Sequence, residues 1–93
     1  MALVYVTLRI MPESIEANLD TITHEADKKI YHFLKENRPV QHEYKPVAFG
    51  LKSIDLTWSM QEDLGGTEDL EAQITEIDGV QNCECTDVRR AIG

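Results

Sequence analysis

The residue types that most often carry covalent chemistry occur in this chain, but their spacing does not suit a catalytic site. The histidines are His24, His32 and His42. His24 and His32 lie in a segment with helical periodicity, on roughly one face but about two turns apart. Nucleophilic catalysis needs a Ser or Cys beside a positioned base, and the sequence places neither beside these histidines. We therefore expect solvent-facing imidazoles and no enzyme.

Cys83 and Cys85 are separated by one residue, so on a strand they would share a face. They would be too far apart there for an easy disulfide. Structural zinc sites normally use cysteine pairs spaced by roughly two to four residues and supplied twice. We predict buried core thiols in a reducing compartment, without metal or cofactor. A metal or redox protein that uses this pair is the alternative.

The segment Gly65-Gly66-Thr67 resembles a phosphate-binding loop only superficially. A P-loop requires a longer glycine pattern followed by Lys and then Ser or Thr, and no lysine is present here. Neighbouring carboxylates would also repel phosphate; they are Glu62, Asp63, Glu68 and Asp69. We predict a loop in which Thr67 caps the helix that follows.

Two segments instead have the character of protein-binding sites. Phe49 precedes Gly50 at a turn into a long strand, and an aromatic ring on a short, rigid loop is a typical interface anchor. The alternative is that Phe49 tucks under the edge of the sheet. Arg89 and Arg90 are adjacent near the end of an acidic chain, where they can bind a carboxylate or phosphate or merely remain solvated.

Size and charge narrow the class of protein. A chain of 93 residues suits one domain, residues 1–93, with a single core. The formal net charge of −8 argues against direct nucleic-acid binding, which relies on Lys and Arg at phosphates. No segment approaches the roughly 18 apolar residues of a membrane span, and the first residues alternate like a strand, unlike a signal peptide. We expect a cytoplasmic location.

Hydrophobic periodicity predicts six elements. Strands are expected from the alternations around 4–10, 54–60 and 80–88, and Met11-Pro12 should end the first, because proline cannot donate to a strand ladder. A short edge strand is expected over 40–44, which Lys45-Pro46 would break. Helices are expected after Asn18, as N-cap, and after Thr67, with Asn37 in a left-handed turn and Gly79 as C′ residue. Val88 falls on the outer face of the last strand, which implies a bulge or an exposed end.

The order β-α-β-β-α-β predicts a ferredoxin-like α+β fold. A four-stranded antiparallel sheet with both helices on one face is the simplest arrangement that buries both helical stripes and one sheet face.

Four segments, in order along nearly the whole chain, resemble the archaeal type of translation elongation factor 1-beta. They are Met11-Pro12-Glu13-Ser14, Pro46-Val47-Ala48-Phe49-Gly50-Leu51, Gly65-Gly66-Thr67-Glu68 and Thr86-Asp87-Val88-Arg89-Arg90. The resemblance implies a ferredoxin-like fold and guanine-nucleotide exchange on the GTPase elongation factor 1-alpha, without covalent chemistry.

The same resemblance assigns roles to residues. The eukaryotic exchange domain places the aromatic of a Gly-aromatic-Gly-aliphatic-Lys segment in a hydrophobic pocket of the GTPase. Residues 48–52 match this segment with Ala48 for the first glycine, so Phe49 inherits the role, with Gly50 and Lys52 beside it. The eukaryotic domain also has a lysine near its C-terminus that disturbs the magnesium site; here Arg89 and Arg90 are the nearest cations.

A second function class is compatible with the same predicted fold. A small regulatory or ligand-binding module would work as a homo-oligomer with a pocket between subunits. The exchange factor is instead expected to be monomeric when free and to bind its GTPase.

Overall fold

The computed structural model describes residues 3–36 and 38–90. It contains six main elements in the predicted order, with short 3-10 turns at Ala48–Gly50 and Glu62–Leu64. The strands are β1 (Leu3–Pro12), β2 (Gln41–Pro46), β3 (Lys52–Gln61) and β4 (Val80–Arg90), and the helices are α1 (Leu19–Leu34) and α2 (Glu68–Thr75).

The strands form one antiparallel sheet in the order β2-β3-β1-β4. Alternate residues of β1 and β3 are buried against the helices, because side chains on a strand point to opposite faces in turn. The core combines these with the apolar stripes of α1 and α2, which include Ile22, Ala26, Ile30, Leu70 and Ile74. The predicted ferredoxin-like α+β fold is confirmed.

The opposite sheet face is polar and is held by pairs across the strands. The Asp55 carboxylate on β3 lies between Arg9 Nε of β1 at 3.2 Å and Lys45 Nζ of β2 at 3.3 Å. The hydrogen bond and charge of Asp55 raise the pKa of the Arg9 guanidinium above its ordinary value. One row away, the hydroxyl groups of Thr7 and Thr57 lie 2.9 Å apart.

Helix α1 begins as predicted, because Asn18 Oδ1 accepts a hydrogen bond from the N–H of Thr21 at 3.1 Å. At the other end, Lys35 is left-handed with φ of 61° and caps the helix. Asn37, predicted for such a turn, lies outside the described residues.

Of two predictions around α2, one is confirmed and one is wrong. Thr67 is the N-cap residue as predicted, and its carbonyl accepts a hydrogen bond from Glu71 N at 2.8 Å. Its side chain makes no capping bond, because the hydroxyl donates to Glu71 Oε2 at 2.7 Å. Gly79 does have a positive φ, 92°, but α2 ends at Thr75 with Glu76 as its cap, so Gly79 serves the turn that leads into β4. The prediction that Gly79 is left-handed is correct, but the residue belongs to the turn before β4 and not to the end of α2.

The proline signals gave one correct and one wrong boundary. Strand β1 ends at Pro12, as predicted. The predicted break at Lys45-Pro46 is wrong, since β2 runs from Gln41 to Pro46 and pairs with β3 along that length. An edge strand tolerates proline because one side of its backbone has no ladder partner to lose.

Strand β4 contains the bulge that its sequence pattern implied. Cys85 lies opposite Leu8 and Asp87 opposite Thr7, so Thr86 is the extra residue. Beyond the bulge, the residues of β4 that would have pointed to one face of the sheet point to the other. Val88 therefore lies opposite Val6 on the helix side, and not on the predicted outer face. Its side chain nevertheless remains exposed.

Candidate functional site

The turn between β2 and β3 presents Phe49 to solvent. Backbone hydrogen bonds from Val47 N to Leu51 O at 2.8 Å and from Leu51 N to Ala48 O at 3.3 Å close the turn. Phe49 lies in the left-handed region with φ of 63°, followed by Gly50 with φ of 77°. The ring is 94% exposed. The alternative in which Phe49 tucks under the sheet edge is therefore wrong.

This conformation is unfavourable for a bulky residue. The left-handed region costs a non-glycine residue about 1–2 kcal/mol, and Phe49 buries almost none of its ring in this domain to offset that cost. A glycine would adopt the same φ without strain. The phenyl ring thus serves no visible purpose in stabilising this domain, which is the pattern expected of a residue retained for an external contact.

Ala48, Gly50 and Lys52 surround Phe49 and are exposed as well. Lys52 is the first residue of β3 and lies opposite Pro46, the last residue of β2. The turn is therefore anchored directly by the sheet on both sides. The structure brings these predicted residues together in one surface.

Arg89 and Arg90 lie at the other end of the sheet. Arg90 is opposite Val4 of β1, which is opposite Met60 of β3. Lys52 is eight residues before Met60 on that strand, and at about 3.3 Å per residue the two ends are about 26 Å apart. The predicted site residues therefore form two separate surfaces rather than one.

Both arginines are exposed and held by neighbouring carboxylates. Arg89 Nε lies 2.7 Å from Asp87 Oδ2, and Arg90 Nη2 lies 2.9 Å from Glu62 Oε1. Exposed ion pairs of this kind exchange readily because each contributes only about 0–1 kcal/mol. The guanidinium groups remain available for a partner's anionic group.

A cleft of about 350 Å³ lies beside the arginine end, between β1, β4 and the start of α2. Its apolar part includes Val6, Met60 and Val88, and its rim carries Glu62 and Glu68. The lining also contains Thr67 and Glu71, which are joined by a hydrogen bond from the Thr67 hydroxyl to Glu71 Oε2.

The cysteines behave as packing residues. Cys83 lies opposite Ile10 in the core, and burial raises the pKa of its thiol to about 12. The thiolate is the nucleophile and the metal ligand, so a thiol that stays protonated is inert at neutral pH. Within 3–36 and 38–90 there is no group of three or more His, Cys, Asp or Glu residues that could hold a metal ion.

Two of the three histidines are exposed as predicted, and the third contacts a carboxylate. His24 and His32 are exposed on α1, as expected. His42 of β2 lies with Nε2 2.9 Å from Asp27 Oδ2 of α1, which ties the edge strand to the helix. Over the same described part of the chain, no helix is both long and apolar enough to cross a bilayer.

Sequence reasoning did not single out Ile15. It lies in the loop between β1 and α1, is 69% exposed, and packs toward the Phe49 turn. Its signal in the sequence is a single apolar residue between Ser14 and Glu16, which carries no periodicity.

The structure defines a ferredoxin-like domain that exposes an aromatic turn at one end of its sheet. Comparison with known proteins identifies its family. Residues 5–91 match the EF-1 guanine nucleotide exchange domain, and the chain belongs to this family of translation elongation factors. The matched domain is one of guanine nucleotide exchange.

Curated archaeal relatives carry the name elongation factor 1-beta. The protein of Saccharolobus islandicus strain L.S.2.15 is 36% identical over 88 residues, which covers 94% of this chain and 93% of the relative. The protein of Saccharolobus solfataricus is 35% identical over the same shares. That of Methanothermobacter thermautotrophicus is 33% identical over 94% of both chains. The resemblance to archaeal-type elongation factor 1-beta is confirmed.

Proposed function

We propose that this domain accelerates GDP release from elongation factor 1-alpha by inserting Phe49 into an apolar pocket of that GTPase. The observation that carries the proposal is the conformation of Phe49, which is left-handed at φ 63° and 94% exposed. Ala48 and Gly50 leave space around the ring, and Lys52 offers a cation beside it.

The physical basis is a shift in population. GDP is held largely by a loop of backbone amides, Mg²⁺ and contacts to its phosphates. A factor that binds the nucleotide-free conformation more tightly than the GDP-bound one shifts the equilibrium by that difference in affinity. An inserted phenyl ring contributes to the difference if its pocket opens only when the nucleotide site is distorted.

Arg89 and Arg90 form a second contact in this proposal. Because they lie about 26 Å from the Phe49 turn, they cannot share its pocket on the GTPase. We assign them to an anionic group, such as a phosphate or a carboxylate near the magnesium site. With two separated contacts, the domain would span the nucleotide site and stay bound to the GTPase when one contact opens.

The remaining partner predictions belong to the same proposal. The domain acts as a monomer, without direct contact to nucleic acid, and its net charge of −8 suits a basic surface on the GTPase. Size-exclusion chromatography of the pure protein, with and without nucleotide-free GTPase, distinguishes this from the homo-oligomeric module.

Release of a fluorescent GDP analogue from purified elongation factor 1-alpha tests the proposal. The unaltered protein is expected to accelerate release. Phe49→Ala should reduce that acceleration at least tenfold at equal concentration, because an anchor residue contributes about 1.4 kcal/mol or more to binding. His24→Ala, which removes an exposed ring from α1, is the matched control and should act like the unaltered protein. An undiminished rate with Phe49→Ala would refute the role of this ring.

A further inference from the structure

The loop between β1 and α1 holds Ile15 in an exposed position. Glu13 N donates to Gly79 O at 2.8 Å, which joins the loop to the turn before β4. Within the loop, Glu16 N donates to Ser14 Oγ at 3.2 Å, so the backbone on both sides of Ile15 is fixed. The side chain is 69% exposed. Its exposure is therefore a property of an ordered loop.

Ile15 and the Phe49 turn meet in space although they are far apart in sequence. A Cβ placed on Gly50 would lie 3.6 Å from Ile15 Cγ2, within ordinary van der Waals contact. Ile15 Cγ2 therefore lies close to the backbone of the glycine that follows Phe49. We call the surface formed by Ile15, Phe49 and Gly50 the apolar tip.

Exposed apolar residues scattered singly are normal, but adjacent ones from two ordered loops indicate a binding surface. At the apolar tip, the two large side chains are 69% and 94% exposed. They are among the most exposed large hydrophobic residues of the described chain. Ile15 lies close to the residue that follows Phe49, so a partner that receives the ring would meet an aliphatic side chain nearby.

The charges beside the tip indicate what surrounds that depression. Glu13 and Glu16 flank Ile15 and are exposed. Two copies of this chain meeting through their tips would bring like charges together, which disfavours self-association there. A complementary surface has an apolar floor with Lys or Arg at its rim.

We propose that Ile15 is a second anchor, which contacts the same GTPase surface as Phe49 while Glu13 and Glu16 face cations at its rim. This inference rests on the proposed function. It adds a contact residue near the Phe49 turn and the sign of the charge around that contact.

Binding to nucleotide-free elongation factor 1-alpha, measured by fluorescence anisotropy beside the release assay, tests this. Ile15→Ser is expected to raise the dissociation constant about 5- to 20-fold, as expected for removing a contacting aliphatic side chain. Ile15→Leu keeps the apolar area and should stay within about twofold. His24→Ser, at an exposed position of α1 outside both proposed contact surfaces, is the control and should bind normally.

The outcomes separate the two proposals. If Phe49→Ala is impaired but Ile15→Ser binds and exchanges like the unaltered protein, the second anchor is wrong and the proposed function stands. If the unaltered protein does not bind the GTPase, both fail. Thermal unfolding temperatures of Ile15→Ser and His24→Ser should match that of the unaltered protein, which excludes misfolding as the cause of weaker binding.

Discussion

The Glu71 carboxylate of α2 is joined to the backbone of β4 at Cys85. Glu71 Oε1 accepts a hydrogen bond from Cys85 N at 3.2 Å, while Oε2 accepts from the Thr67 hydroxyl at 2.7 Å. The bond to Cys85 comes directly before the bulge at Thr86. One carboxylate therefore links the start of α2, an edge-strand amide and the bulge beyond which Arg89 and Arg90 follow.

Glu71→Ala should lower the free energy of unfolding by about 1–2 kcal/mol, because it removes a charged acceptor from two donors that are partly buried. Chemical denaturation with urea measures the change. Glu76→Ala removes the same charge from an exposed position just after α2 and should change stability by less than about 0.5 kcal/mol. Equal effects of the two substitutions would contradict a specific role for Glu71.

Phe49→Gly should be more stable than Phe49→Ala by about 0.5–1 kcal/mol. Position 49 has φ of 63°, where glycine is free of the left-handed penalty, although its larger unfolded-state entropy offsets part of the gain. Urea denaturation of both variants measures the difference. Both should reduce the acceleration of GDP release at least tenfold, since each lacks the ring. A glycine variant less stable than the alanine variant would show that the turn does not keep this conformation in solution.

Replacing Arg89 and Arg90 together with Ala should weaken exchange, and more so at low salt, because exposed charges act at longer range there. Their ion pairs with Asp87 and Glu62 are exposed, so stability should fall by less than about 1 kcal/mol per pair. GDP release measured at two salt concentrations checks both expectations.

The control for the arginines removes the same charge elsewhere. Lys28→Ala combined with Lys29→Ala changes the net charge equally on α1 and should retain the exchange rate. If the arginine variant lost only thermal stability, with its exchange rate intact, the pair would be solvated charge and not a contact.

Alkaline conditions should destabilise the domain partly through Cys83. Its pKa is raised by burial from an ordinary value of 9.0 to about 12, so the folded state keeps a proton that the unfolded state releases. Stability from this group is complete below about pH 9 and falls as pH rises toward 12. Urea denaturation from about pH 8 to about pH 10.5 should show the decline.

Cys83→Ala is the control for this titration. Other groups also titrate in that range, so the unfolding free energy of the variant should still fall with pH. It should lack the part of the fall that Cys83 causes, and the curves of free energy against pH for the two proteins should therefore converge as pH rises. Parallel curves would mean that Cys83 is not protected from solvent. Thiol labelling of the folded protein offers an independent check, because the half-buried Cys85 should react before Cys83.

Local patterns in the sequence were sufficient for the elements and their order. The alternation through Ile54, Leu56, Trp58 and Met60 predicted β3, because a strand that buries one face has an apolar residue at every second position. Asn18 predicted where α1 begins, because its side-chain amide oxygen can accept a hydrogen bond from a free N–H of the first helical turn. The resemblance to elongation factor 1-beta likewise rested on segments readable in order along the chain.

Only the tertiary structure decided how those segments relate in space. The identity of the bulged residue, Thr86, depends on which partner each residue of β4 takes on β1, and pairing between distant strands has no local signal. The same holds for the proximity of Ile15 to Gly50 and for the separation of the Phe49 turn from Arg89 and Arg90. Sequence periodicity determines which face of an element is apolar, whereas contacts between elements depend on register and loop paths set by the whole core.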